Sequence, residues 1–263
     1  MLVVGGSRST PGAVLLAGVS ALRVGAGKLA MATPSDIAVA LAVAVPESAV
    51  EGLATTPDGS FAAAAAEEIG ERVAGVRGLL IGPGMTDPDS AGAIVEAALA
   101  ALPGDAVAVL DAMAVTCEAV TAGALEGIGD RVVLTPNGAE MQRLLGDQGD
   151  DAGDADPVDL ARRMSDQLGV VIAYSGVVAG PGGPAWVDET GAAGLGTSGS
   201  GDVMSGVVAG LAARGASAEQ AAVFAVHLHA QAGYRLAEQV GRLGFLAREL
   251  AEQVPRVLAA LEL

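Results

Sequence analysis

Positive charge is scarce in this chain. Lys28 is its single lysine, and with arginine included the basic residues number 14 against 31 Asp and Glu, a net charge of −17. So acidic a surface repels polyanions, which argues against nucleic acid and anionic membrane faces as partners. Any phosphate ligand has to be held by backbone donors or by a cation rather than by a basic patch. Cysteine is as thin: Cys117 stands alone, so no intramolecular disulfide can form, and the expected compartment is the reducing cytoplasm. Aromatic residues make up 2% of a chain that is 51% hydrophobic. The core therefore has to be built from alanine, valine and leucine, with helices and strands packed closely. Long apolar runs are missing too. The longest, Ile37 to Val45, is too short for a bilayer span, and the opening MLVVGGSRSTPG has no basic leader.

What the chain does have is alternation. Short β-branched runs predict strands at Met1–Val4, Lys28–Ala32, Gly78–Ile81, Ala106–Leu110, Arg131–Leu134, Val170–Tyr174 and Ala185–Val187. Between and after them, Ala-rich segments predict helices at Pro11–Val24, Ser60–Ala74, Asp87–Ala101, Gly138–Leu145, Pro157–Leu168, Gly201–Arg214, Ala218–Gln239 and Leu243–Leu261. Strands such as VAVL are apolar throughout, as expected when helices cover both faces of a parallel sheet. The expectation is one α/β domain over residues 1–263, doubly wound. The acidic stretch Asp147–Asp156 reads as a solvated loop ending in an Asp156 N-cap.

In such a fold ligands sit beyond the C-terminal ends of the strands. Five polar or glycine-rich turns fall there: GGSRSTPG, GPGMTD, DAMAVT, TPNGAE and the Ser175-Gly176 pair. The first is neither a Walker A loop nor a dinucleotide fingerprint, since both spacings are absent. A sixth segment, GTSGSGDVMSGVVAGLAARG from Gly196 to Gly215, carries the most chemistry. Its small residues leave backbone N–H groups uncovered, and the helix that follows adds the positive end of its dipole. Asp202 is either the base that takes a proton from a nucleophile attacking a bound phosphate or an N-cap of its own helix. Asp111 ends an apolar strand, so its charge is expected to emerge at the sheet edge. Asn137 and Glu140, three apart, can hold the water shell of a magnesium ion or form a capping pair. His227 and His229 diverge on their helix, cannot share a metal, and read as packing residues.

These blocks, in this order, resemble the ADP/ATP-dependent NAD(P)H-hydrate dehydratases of the ribokinase-like superfamily. VVGGSRSTPGAVLLAGVSALRVGAGKLAMATP is similar to that family's opening, and IGPGM, VLDAMAV, LTPNGAEMQRLLG, SGSGDVM and AVHLHA follow at about its spacing. The resemblance implies a ribokinase-like fold and dehydration of (S)-NAD(P)H hydrate at the expense of ADP or ATP, with Mg2+. It implies a catalytic Asp202, and contacts of Ala13, Gly84, Asn137 and Asp202 with the hydrated dinucleotide. Ser175, Gly176, Gly199, Ser200 and Gly201 fall to the adenine nucleotide, and Asn137 with Glu140 to magnesium. The family usually has Lys-Gly where this chain has Ser175-Gly176. A homo-oligomer is expected from the same likeness. The competing expectations are a ribokinase-like kinase of a small alcohol and a weakly catalytic paralogue that binds dinucleotide.

Overall fold

The structure, a computed structural model, describes residues 1–146 and 155–261. Its strands are β1 (Leu2–Val4), β2 (Leu29–Pro34), β3 (Ser48–Leu53), β4 (Gly78–Ile81), β5 (Val107–Leu110), β6 (Val132–Leu134), β7 (Val171–Tyr174), β8 (Val177–Ala179) and β9 (Ala185–Val187). They form one sheet in the order β3-β2-β1-β4-β5-β6-β7-β8-β9. Pairing is parallel from β3 across to β7 and antiparallel only through β8 and β9. The helices are α1 (Pro11–Arg23), α2 (Ser35–Ala44), α3 (Ala65–Val73), α4 (Pro88–Ala100), α5 (Glu118–Thr121), α6 (Gly138–Leu145), α7 (Pro157–Leu168), α8 (Ser200–Ala213), α9 (Ala218–Gln239) and α10 (Ala247–Leu261).

The period of two in each strand splits the core. Leu79, Ile81, Leu110, Leu134 and Ile172 face α3 to α7, against Ile69, Ile94, Met141 and Met164. Val3, Leu80, Val109, Val133 and Ala173 face α1, α2, α8, α9 and α10, against Val14, Val207 and Val254. With few aromatics, the second layer closes by direct backbone approach. A Cβ on Gly206 of α8 would sit 2.2 Å from the Ala17 carbonyl oxygen of α1, and one on Gly210 would sit 2.4 Å from Val24.

Strand order reverses between β1 and β4, where a doubly wound sheet opens its crevice. The two turns there are laced together: Gly6 N–H donates to Pro83 O at 2.7 Å, and Thr10 Oγ1 donates to Gly84 O at 2.8 Å. A Cβ on Gly5 would stand 2.3 Å from Pro83 O, so only glycine permits that approach.

The doubly wound, mostly parallel sheet with helices on both faces is as expected, and the structure adds four elements: α2, the four-residue α5, β3 and β8. Helix α2 lacks an amphipathic pattern because Val39 and Val43 are 77% and 78% exposed while Ile37 and Leu41 are buried; apolar on all sides, it gives no period to read. Strand β3 is an edge strand, and β8 has three residues. Two helices start later than the sequence suggests. Phe61 is buried at 2% exposure and holds its segment in an extended bridge to Thr55, so α3 begins at Ala65. Gly244 takes φ +97 and Glu249 Oε2 accepts the Leu246 N–H, so α10 begins at Ala247. Asp156 caps α7 by accepting from Val158 N–H at 2.8 Å; the rest of the acidic stretch, residues 147–154, lies outside the described residues. No helix among the described residues is long and apolar enough to cross a membrane.

Candidate active site

Two adjoining cavities open at the C-terminal edge of the sheet. One, of about 400 Å3, is lined by Asp111, Thr135, Asn137, Glu140, Thr197, Gly199, Ser200, Gly201 and Asp202, with neighbouring small residues. The other, of about 450 Å3, shares Thr135, Asn137, Ser200 and Gly201 and adds Ser175, Gly176, Asp188 and His229. The turns after β5, β6 and β7 and the start of α8 thus converge, as their shared sheet edge requires.

The loop before α8 is built by its glycines. Gly199 is the N-cap residue in the left-handed region, φ +88, and no side chain caps the helix. Ser200 N–H donates to Thr197 O at 3.2 Å, and the N–H groups that follow it in the first turn of α8 are left for an anion. A Cβ on Gly199 would meet Leu16 Cδ1 of α1 at 2.6 Å and the Ala247 Cβ of α10 at 3.1 Å, so the loop is wedged between two helices. Asp202 is the third residue of α8 and lines the cavity. It does not cap its own helix, which removes the second of its two sequence readings. Burial, reinforced by the charges of Asp111 and Glu140, pushes its carboxyl up from 3.8 to about 7. That is the range in which a carboxylate serves as a general base at neutral pH.

Asp111 corrects an expectation. It ends β5 at the sheet edge, but its charge does not emerge into solvent: the residue is 5% exposed. Its carboxyl stays buried because hydroxyls replace water. Thr135 Oγ1 donates to Oδ1 at 2.8 Å, and Ser205 Oγ donates to Oδ2 at 2.9 Å. Burial pushes its pKa up, and these two bonds oppose the shift.

Asn137 and Glu140 form the capping box of α6. Glu140 N–H donates to Asn137 Oδ1 at 3.0 Å, and Asn137 N–H donates to Glu140 Oε2 at 2.8 Å. Of the two readings of this pair, capping is the one the coordinates display. It leaves Glu140 Oε1 and the Asn137 amide group uncommitted at the cavity wall. Burial raises the Glu140 pKa, opposed by its bond to the Asn137 backbone, and the charge of Asp111 adds to the rise. Among the described residues no three His, Cys, Asp or Glu groups are placed to hold a metal ion. That donor set fits a hydrated magnesium ion carried on phosphates, not one caged by protein.

Ser175 and Gly176 form the two-residue turn of the β7–β8 hairpin, with φ +50 and +82, the backbone of a type I′ turn. The adjacent Asp188 donates its N–H to Gly176 O, and its carboxylate pairs with His227 Nδ1 at 2.7 Å. His229 is buried against Ser200. Ala13 and Gly84 stand apart from both cavities, in the laced corner between β1 and β4. They touch each other, since a Cβ on Gly84 would lie 3.0 Å from Ala13 Cβ. One turn further along α1, Leu16 reaches the Gly199 loop, which ties this corner to the cavity.

The sequence reading did not assign Asp111, Thr135, Ser205 or His229 to the site. Ser205 follows Asp202 by three residues on one helix face, and Thr135 directly follows the apolar β6. Those spacings were legible; that both hydroxyls point to one buried carboxylate was not.

Comparison with known proteins places the chain in a family. A family model described as NAD(P)H-hydrate dehydratase matches residues 1–256. The chain is 40% identical to an ADP-dependent (S)-NAD(P)H-hydrate dehydratase of Xanthomonas campestris, over 98% of this chain and 87% of that protein. It is 36% identical over its whole length to a bifunctional NAD(P)H-hydrate repair enzyme of Moorella thermoacetica, of which it spans 49%. Its backbone matches the crystal structure of the ADP/ATP-dependent NAD(P)H-hydrate dehydratase from Bacillus subtilis co-crystallized with ATP/Mg2+ and soaked with CoA, with a TM-score of 0.80 at 27% identity, covering 98% of this chain and 90% of that one. On sequence and fold together, this chain belongs to the NAD(P)H-hydrate dehydratase family.

Proposed function

We propose that this protein dehydrates (S)-NAD(P)H hydrate to NAD(P)H with ADP as co-substrate, releasing AMP and phosphate. Hydroxide is a poor leaving group and phosphate a good one, so transfer of the terminal phosphoryl group to the hydrate's ring hydroxyl precedes elimination. Asp202 takes the hydroxyl proton as the oxygen attacks phosphorus. The N–H groups of Gly199 and Gly201, with the Ser200 hydroxyl between them, hold the charge that develops on the phosphoryl oxygens. Loss of the phosphate from that ring carbon, with loss of a proton from the carbon beside it, then forms the C=C bond and restores the dihydronicotinamide ring.

In this reading Ala13, Gly84 and Asn137 contact the dinucleotide, and Ser175, Gly176 and the Gly199–Gly201 loop contact the adenine nucleotide. Asn137 and Glu140 hold the water shell of magnesium, which neutralises phosphate charge when bound. The expected setting is the cytoplasm.

The observation that carries the proposal is a carboxyl with a pKa of about 7, facing a cavity whose other wall is an uncapped helix start. The test incubates the purified protein with NADH hydrate, magnesium and either ADP or ATP, and follows the return of dihydronicotinamide absorbance. Recovery should require nucleotide and vanish in Asp202→Asn. Dinucleotide binding without turnover, or phosphorylation of a small alcohol without dehydration, would overturn the reading.

A further inference from the structure

We propose that His229 is a positioning residue: its Nε2–H donates to Ser200 Oγ and turns the Ser200 hydroxyl proton into the cavity, as a donor to the transferring phosphoryl group. The inference rests on the nucleotide reading of the cavity and goes one residue behind it.

Ser200 is the first residue of α8 and lines both cavities. Behind it, on α9, His229 Nε2 stands 2.8 Å from Ser200 Oγ, and the two residues are 9% and 4% exposed. A neutral imidazole carries one proton, and the two choices have opposite consequences. With the proton on Nε2, the ring donates to Oγ and occupies one oxygen lone pair, so the hydroxyl hydrogen is free to donate elsewhere. With the proton on Nδ1, the hydroxyl has to donate to the ring, and the serine presents only lone pairs to a phosphate.

The surroundings favour the first choice. Nε2 has an acceptor in Ser200 Oγ at 2.8 Å, and no side-chain hydrogen bond among the described residues fixes a proton on Nδ1. Burial holds the His229 pKa down at about 4, opposed by its hydrogen bond to the Ser200 backbone. The ring therefore stays neutral and supplies direction without charge. Direction matters because no lysine or arginine is among the residues lining either cavity. Each donor aimed at the phosphate then carries a larger share of its binding.

The test has a spectroscopic arm and a kinetic arm. In protein labelled with 15N-histidine, with His227→Asn used to assign the two rings, His229 should show a protonated Nε2 and a bare Nδ1 in the unliganded state. The reverse tautomer would overturn the proposal. In kinetics, Ser200→Ala and His229→Ala should each lower kcat/KM for ADP by at least about tenfold, and the double variant should fall no further than the weaker single. His229→Gln, whose amide N–H can still donate to Oγ, should recover most of the loss, which a purely packing role would not predict. Multiplying losses in the double variant, or a fully active His229→Ala, would refute it. The affinity of each variant for a non-hydrolysable ADP analogue gives the same comparison without turnover. If wild-type protein bound ADP but dehydrated nothing, the proposed function would fail while the tautomer and these affinities still decided this inference.

Discussion

Asp202→Asn should abolish turnover and at the same time stabilise the protein at alkaline pH. The native carboxyl titrates at about 7 against 3.8 when unperturbed. At pH 3.5 it is protonated in both folded and unfolded chains and contributes nothing to pH dependence. Between 3.8 and 7 the unfolded chain releases its proton while the folded chain keeps it, so stability falls as pH rises; above 7 both states are ionised and the penalty is constant. About 1.4 kcal/mol per pH unit makes the full penalty about 4 kcal/mol, and contact with cavity water reduces it to about 2 kcal/mol. Asparagine has no charge to desolvate. For a chain of this size about 2 kcal/mol corresponds to a rise in Tm of roughly 4–8 °C. Thermal melts of both proteins at pH 8 and pH 4.5, without ligand, measure the effect: the asparagine variant should melt higher at pH 8, with the gap closing towards pH 4.5. A gap equal at both pH values, or a variant that melts lower at pH 8, would refute the claim that burial and neighbouring carboxylates strain this charge.

Three further expectations follow from the same geometry. Glu140→Gln keeps an acceptor for the Asn137 N–H and so should leave the unfolding free energy within about 0.5 kcal/mol of wild type, while the magnesium concentration for half-maximal activity rises severalfold. Gly199→Ala forces a side chain into a φ of +88 and against Leu16 and Ala247; the backbone term alone is about 1–2 kcal/mol, and ADP affinity measured by calorimetry should fall with Tm. Ser205→Ala deprives Asp111 Oδ2 of its donor, with a loss of about 1–3 kcal/mol in denaturant unfolding. It should also favour neutral Asp111, weaken the repulsion on Asp202, and shift the acid limb of the pH–rate profile to lower pH.

The sheet was largely legible because strands buried on both faces are apolar without interruption, and GLLI and VAVL read as little else. The Ser175-Gly176 turn was located as well, though not as a hairpin, since the three residues of β8 are too few to show a period. Helix α2 was missed because its exposed face carries valines, so burial and sequence disagree. At the site, the glycine-built loop before α8 and the place of Asp202 in the first turn of that helix were readable from the sequence. The support beneath it was not. Asp111, Thr135 and Ser205 come from β5, the β6 turn and α8, and their meeting is set by strand order, which leaves no local trace. His229 was read as packing, which its burial bears out, but the hydrogen bond to Ser200 depends on the rotation of α9 against α8.

The electrostatics of the cavity explain why these parts belong together. Asp111, Glu140 and Asp202 share one cavity wall, and all three have raised pKa values. Among the described residues no basic side chain lines the cavity to offset them, and the molecule as a whole carries −17. A polyphosphate entering such a site meets repulsion at every range, from the surface field to the Asp202 carboxyl itself. Two devices relieve it within the protein. Asp202 is half protonated near neutral pH, so its full charge need not be present when the nucleotide arrives. The start of α8 supplies fixed partial positive charge from uncapped N–H groups. Neither device matches the charge of a diphosphate, so the proposed nucleotide binding calls for a cation that enters with it. On the proposed function, the carboxylates that would repel a bare nucleotide are the groups that would attract its magnesium complex. The acidity that argues against polyanions at the surface thus selects, inside the cavity, for phosphate that comes already neutralised.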